Sequence, residues 1–244
     1  MKCYLCGSEN QSSRSGSVRD NSNLSILECK NCGLVFLSSR DHISDLHYKQ
    51  SGMHGGVSLD IDAWLKQTAN DDNRRFRFLK NRLINKRVID FGCGAGGFIE
   101  KAKTVANKVA GIELESALQP SFESRGLNVY SNHHVAYETN KKWDLLTAFH
   151  VVEHLQDPRQ IIADLSSLMA DAGEMVIEVP SSDDALLTLY ECEPFMNFTY
   201  WSQHIFLFNR QTLSELARQA GLEVSWIRQI QRYPLSNHLH WLAK

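Results

Sequence analysis

Four cysteines near the N-terminus have the residue type and the spacing to hold a metal ion. Cys3 and Cys6 form one C-x2-C pair, and Cys29 and Cys32 form another after an interval of 22 residues; Gly7 and Gly33 follow the second cysteine of each pair. A C-x-x-C turn presents two thiolates to one ion, and glycine permits the positive φ that such a knuckle often needs. Two knuckles fill a tetrahedral shell, which predicts a structural zinc at Cys3, Cys6, Cys29 and Cys32 with no position open to substrate. The competing reading is four buried or disulfide-bonded cysteines. The stretches SILEC and LVFL predict short strands around the second knuckle.

A second chemical signal is VIDFGCGAGGF, residues 88–98. Gly92, Gly94 and Gly97 fit the G-x-G-x-x-G of a dinucleotide-binding turn, while Gly92, Gly94 and Gly96 fit a tighter G-x-G-x-G. Asp90 separates the two readings. A carboxylate beside the turn repels a pyrophosphate seeking the helix N-terminus, but it suits a cation. S-adenosylmethionine carries an ammonium and a sulfonium and no phosphate, which makes an acidic residue such as Asp90 sensible at the mouth of the turn. Glu113, closing the next strand, stands where an acidic side chain accepts ribose hydroxyls. Cys93 lies inside the turn, where a small residue is needed, and is read as a space-filler rather than a nucleophile.

Histidine supplies the remaining candidate chemistry. Methyl transfer from a sulfonium is an in-line displacement, and a hydroxyl acceptor must also lose its proton. An imidazole titrates near neutral pH and suits that task. His150, at the end of a predicted strand, and His204, in the aromatic-rich segment EPFMNFTYWSQHIFLF, are the candidates; that segment is also a candidate acceptor lid. His150, Glu153 and His154 together satisfy H-x-x-E-H, a zinc-protease signature, but here it follows a strand rather than lying on a helix. Glu153 and His154 are read as structural, with a divalent metal at this segment as the alternative.

The elements that must position these groups alternate. RVIDFG, KVAGIEL, LNVYS, WDLLTAFH and EMVIEVP read as strands, and GFIEKAKTVA, ALQPSFESRG (interrupted at Pro120) and PRQIIADLSSLMA as helices between them. This predicts a doubly wound, mostly parallel sheet, with ligands at the carboxyl ends of its strands. NRQTLSELARQAG reads as a late helix, and LEVSWIRQI and NHLHWLA as a closing pair of strands, which brings the sheet to seven. Ahead of the sheet, residues 38–58 are polar and glycine-containing and read as a linker, and 59–84 as one or two helices.

Composition narrows the class. The chain has 244 residues, 43% apolar content and a formal charge of -2. No run suits a membrane span or a signal peptide, so the expectation is a cytoplasmic protein with reduced cysteines. Up to residue 45 there are five Lys/Arg against five Asp/Glu, which gives no electrostatic grip on nucleic acid.

These segments resemble the class I S-adenosylmethionine-dependent methyltransferases. VIDFGCGAGGF looks like their first motif, VAGIELES their second-strand acidic motif, and WDLLTAFHVVEHLQDP their fourth strand and following helix, over residues 87–244. The resemblance implies that Asp90, Gly92, Cys93 and Gly94 hold the methionine end and Glu113 the ribose. It also implies that Leu114 lines the adenine pocket and that Phe149 and His150 flank the reacting methyl. Methyltransferases of phenolic quinone precursors have Glu where His150 stands and bind a divalent metal through it and the Glu-His pair. A four-cysteine module ahead of such a domain is similar to the sugar C-methyltransferases of deoxysugar pathways, which carry a further C-terminal domain.

The expectation is therefore a zinc-ribbon-like module over 1–38, a linker and helical lead-in over 39–85, and a methyltransferase domain over 86–244. The acceptor is expected to be small and polar, a sugar or nucleotide-linked sugar in polysaccharide or natural-product assembly. The alternatives are RNA methylation with the zinc module as RNA grip, and a non-catalytic cofactor-binding protein that docks a partner.

Overall fold

The structure, a computed structural model, describes residues 1–43 and 59–243. Most of the expected linker, 44–58, lies outside the described residues. In chain order the strands are β1 (Gln11–Ser13), β2 (Ile26–Cys29), β3 (Val35–Leu37), β4 (Arg87–Phe91), β5 (Lys108–Ile112), β6 (Val129–Tyr130), β7 (Trp143–Phe149), β8 (Met169–Glu178) and β9 (Phe206–Leu207). The helices are α1 (Ile61–Leu83), α2 (Gly97–Ala102), α3 (Gln119–Ser124), α4 (His133–Glu138), α5 (Pro158–Ser166), α6 (Ala185–Thr188), α7 (Glu193–Thr199), α8 (Arg210–Gln219) and α9 (Leu235–Leu242). The chain divides into two compact units, Met1–Ile43 with Val152–Ala163 and Val179–Lys244, and Ser44–Val151 with Asp164–Glu178.

The second unit is built on a five-stranded parallel sheet in the order β6-β5-β4-β7-β8. The chain winds from β4 outward through β5 to β6, then returns to β7 on the other side of β4. That reversal opens a crevice at the carboxyl ends of β4 and β7, where doubly wound sheets bind ligands. Val88 and Ile89 in β4 and Leu145 and Leu146 in β7 are buried, as expected of strands covered on both faces. Helix α1 is continuous. Asp60 caps it by accepting the Ala63 amide at 2.9 Å, and Leu79 and Leu83 seal its last turns into a cluster with Val88, Phe98, Ile99 and Phe122.

The first unit carries a four-stranded antiparallel sheet in the order β1-β2-β3-β9. Its fourth strand comes from far along the chain, with Val35 opposite Leu207 and Phe36 opposite Phe206. Val18, Ile26, Val35 and Leu37 share a buried cluster with Leu186, Leu187, Phe195, Met196 and Tyr200. Phe195 and Tyr200 of the expected acceptor lid are therefore part of this core.

One local expectation is met and another corrected. The segment expected to be a helix interrupted at Pro120 divides there into a 3-10 helix, Ser116–Leu118, and α3, with Pro120 in the first turn of α3, where its missing N–H costs nothing. The expected closing pair of strands does not form: 222–230 has no regular structure, and Leu235–Leu242 is a helix. The alternation in LEVSW met no partner strand, so among the described residues the parallel sheet has five strands rather than seven. No helix there is long and apolar enough to cross a membrane.

Because Leu79 is almost wholly buried between α1 and the sheet, Leu79→Ala should cost about 2–5 kcal/mol in urea denaturation. A cost close to zero would mean that α1 is not packed on the sheet.

Candidate active site and metal-ligating clusters

Asp90 sits one residue from the end of β4, 3% exposed. It is paired in register with Thr147 of β7, whose hydroxyl donates to Asp90 Oδ1 at 2.6 Å. Burial pushes the Asp90 carboxyl up to about 7; Thr147 and Arg75 oppose this, while Asp72 and Glu113 add to it. Glu113 follows β5 and accepts the Gly94 amide at 2.9 Å and the Glu115 amide at 3.0 Å. Burial raises its carboxyl as well, against those backbone donors. Leu114 is half-buried beside it.

Glycine is required in the turn between these carboxyls. Gly92 has φ of 68°, and a Cβ there would stand 2.4 Å from the Val151 side chain. A Cβ on Gly97 would stand 2.3 Å from Asp72 Oδ2. The turn is therefore held between the β7 exit and α1. Cys93 is buried, and its Sγ would lie 2.5 Å from a Cβ on Gly111 in β5, so it fills the space that glycine leaves. Burial, helped by Glu113 and Asp90, pushes its thiol well up, which removes it as a nucleophile.

At the β7 end, Phe149 meets the edge of Phe98 at 4.9 Å between ring centres and lies under the Arg75 guanidinium at 4.6 Å. His150 takes a φ of 55°, and its amide donates to the Glu178 carbonyl at 2.7 Å. Its Nε2 lies 3.2 Å from Glu178 Oε1. Glu178 also accepts two bonds from Arg74, at 2.8 and 2.9 Å, and two from Arg75, at 2.8 and 3.1 Å. Burial alone would raise this carboxyl, but His150, Arg74 and Arg75 outweigh it and hold it well below the usual carboxylate range.

The second unit thus brings together Asp90, Gly92, Cys93, Gly94, Glu113, Leu114, Phe149 and His150. Sequence reasoning missed the contribution of α1: Trp64 against Gly94, Asp72 against Gly97, and Arg74 and Arg75 on Glu178. Its signal was DDNRR, residues 71–75, two acid-base pairs at i,i+3 within one helix.

His204 belongs to the first unit. It clusters with Glu153 and His154, each offering one ligand atom within 4.8 Å of the others. Among the described residues this cluster does not include His150, so the H-x-x-E-H signature does not close on one metal. The protease reading fails on backbone grounds as well, because Val152–His154 is a short 3-10 turn and His150 is left-handed. The second cluster of that unit is Cys3, Cys6, Cys29 and Cys32, again within 4.8 Å. The Cys3–Cys32 and Cys6–Cys29 Sγ pairs are 3.6 and 3.5 Å apart, too far for disulfides. Thiolates bound tetrahedrally at about 2.3 Å stand roughly 3.8 Å from one another, so the set fits a zinc ion. Gly7 and Gly33 take the positive φ expected of the knuckles, 72° and 80°.

A crevice at a topological switch point, walled by one buried and one half-buried carboxyl group and a glycine turn, suits a cationic nucleoside ligand. A family model described as a methyltransferase domain matches residues 62–225. The chain belongs to this methyltransferase family. Among curated proteins, the methyltransferase is 24% identical to a ubiquinone biosynthesis O-methyltransferase of Methylococcus capsulatus over 213 residues, 82% of this chain and 89% of the relative. Its fold matches an O-methyltransferase family protein from Burkholderia thailandensis with a TM-score of 0.57 at 18% identity, over 78% of this chain and 63% of that one. It also matches a magnesium protoporphyrin IX methyltransferase from Synechocystis, solved with bound S-adenosylhomocysteine, with a TM-score of 0.51 at 14% identity over 78% and 93%. The protein is an S-adenosylmethionine-dependent methyltransferase.

The raised Asp90 carboxyl makes the stability of the methyltransferase depend on pH. Its folded pKa, about 7, lies above the ordinary value of 3.8, so the stability it lends is complete below the ordinary value and is lost as pH rises through 7. Asp90→Asn is neutral throughout. Without ligand, its melting temperature should exceed that of the wild type near pH 8, and the gap should narrow as pH falls toward 4. A gap independent of pH would contradict the burial of an ionisable Asp90.

Proposed function

We propose that this methyltransferase methylates a hydroxyl group on a small polar acceptor, with His150 taking the proton. The observation that carries the reading is the His150–Glu178 pair at the carboxyl end of β7, 3.2 Å apart. Glu178, held ionised by Arg74 and Arg75, stands beside the His150 ring and stabilises the imidazolium that forms when the ring takes a proton. S-adenosylmethionine, when bound, supplies a methyl on a sulfonium that departs as a neutral thioether. Asp90 and the Gly92–Cys93–Gly94 turn receive the methionine end, with Asp90 ionising against its ammonium. Glu113 receives the ribose hydroxyls, Leu114 lines the adenine side, and Phe149 closes the wall near the methyl. His204, the other candidate base, is held in a cluster with Glu153 and His154, so the proton is assigned to His150.

Oxygen as the accepting atom is supported by relatives named as O-methyltransferases. Two acceptor classes follow from different observations. The cysteine module ahead of the domain favours a sugar or nucleotide-linked sugar; the curated relatives favour a phenolic, quinone-related ring. A screen of nucleotide sugars against catechol-type phenols, read by release of S-adenosylhomocysteine, separates them. A product methylated only on carbon or nitrogen would refute the hydroxyl reading.

We further propose that Cys3, Cys6, Cys29 and Cys32 hold one structural zinc. The support for this is geometric: four Sγ atoms within 4.8 Å of one another, unbridged by disulfides, on two glycine-closed knuckles. Cys29→Ser should loosen the N-terminal strands, seen as faster amide exchange over residues 3–37, and leave cofactor affinity largely intact. A wild-type protein that folds these strands without metal would overturn the assignment.

For His150, replacement by Ala should lower kcat by about 100- to 10,000-fold with little change in cofactor affinity. A variant that loses thermal stability but keeps its turnover per folded molecule would show that the histidine is structural.

A further inference from the structure

We propose that the last helix, α9, pairs antiparallel with the α9 of a second copy of this chain about a two-fold axis. Trp241 seats the helix on the first unit. Its ring centre lies 4.9 Å from those of Phe195 and Tyr233 and 5.9 Å from that of Phe198, and its carbonyl accepts the Cys192 thiol at 3.4 Å. Leu235, Leu239 and Leu242 lie on a different side. Spaced at i, i+4 and i+7, they form one stripe along the helix, and they are 73%, 58% and 45% exposed. A surface helix ordinarily turns such a stripe toward a core. Leu189 and Tyr190 are exposed as well, and they stand just before Cys192, beside the C-terminal end of α9.

The charges around the stripe identify what covers it. From 224 to 243 the chain carries no carboxylate side chain, and Arg228 and Arg232, both exposed, precede the first turn of α9. Glu191 and Glu193, also exposed, flank Cys192, which its bond to Trp241 places at the last turn. The patch is therefore basic at one end and acidic at the other. An anionic lipid surface, or a partner of one charge sign, matches only one end. A second copy turned end for end matches both: its acidic end meets Arg228 and Arg232, its basic end meets Glu191 and Glu193, and the two helix dipoles oppose.

The leucines fit the same register. Leu239 lies near the axis against the partner's Leu239, and Leu235 meets the partner's Leu242, so the whole stripe of each copy is covered at once. An interface centred on one short helix is at the small end of specific interfaces, so the dimer is expected to be reversible in the micromolar range. This pairing is independent of which acceptor is methylated and of His150.

Sedimentation velocity of the full chain, from low to high micromolar concentration, should show a monomer giving way to a dimer. Leu239→Glu brings two carboxylates together at the axis and should raise the dimer dissociation constant by about 30-fold or more. Because Leu239 is exposed and Trp241 still seats the helix, the melting temperature of the dilute variant should match that of the wild type. Arg232→Glu and Glu193→Arg should each weaken the dimer several-fold, and the two together should restore it, since the exchange re-forms the end-to-end match. A wild type that stays monomeric throughout, a dimer indifferent to Leu239→Glu, or a double charge variant weaker than both single ones would overturn the pairing. So would a monomer that sediments with phosphatidylglycerol vesicles through Leu239, which would show that a lipid surface covers the stripe.

Discussion

Asp90, Glu113 and Asp72 place three carboxyl groups around one glycine turn, and keeping them out of water there is the constraint on which the second unit depends. Burial raises all three. Each is answered locally: Thr147 donates to Asp90, backbone amides to Glu113, and Thr68 to Asp72 at 2.9 Å. Arg75 reaches both Asp72 and Glu178 while it covers Phe149. Helix α1 is thus an electrostatic wall of the crevice as well as its cover. What remains is negative polarity facing a turn that only glycine can form, which selects a cationic cofactor over one carrying a pyrophosphate.

The first unit answers a different constraint. A three-stranded cysteine ribbon is too small to bury a core by itself. It gains one from β9 and from Leu186, Leu187, Phe195, Met196 and Tyr200, contributed from more than a hundred residues away. The same non-local pairing fixes the position of His204 two residues before β9. The four cysteines and the cluster of Glu153, His154 and His204 thereby belong to one unit.

Much of the catalytic unit was legible in the sequence because its strands are short apolar runs bounded by functional residues. Val88 and Ile89 announce β4, and Asp90 and Gly92 announce what it presents. Local signals also gave α8, whose Asn209 and Thr212 cap each other reciprocally before Gly221 ends it. The charges of α1 were not legible, because periodicity counts apolar residues and places Asp72 and Arg75 on a solvated face. Only tertiary partners such as Gly97 and Glu178 make their burial tolerable. The C-terminal error has a related cause. LEVSW alternates like a strand but has no partner to pair with, and Leu235, Leu239 and Leu242 already had helical spacing. β9 is two residues long and exists through β3, so no local window contains it.

Asp90, whose carboxyl burial pushes up to about 7 in the ligand-free protein, should become a carboxylate when S-adenosylmethionine binds. Calorimetric titration of the cofactor at about pH 7, repeated in buffers of different ionisation enthalpy, counts the protons exchanged on binding. The wild type should release protons that Asp90→Asn does not, and the variant should bind more weakly. Equal proton release by both proteins, with equal affinity, would contradict this ionisation of Asp90.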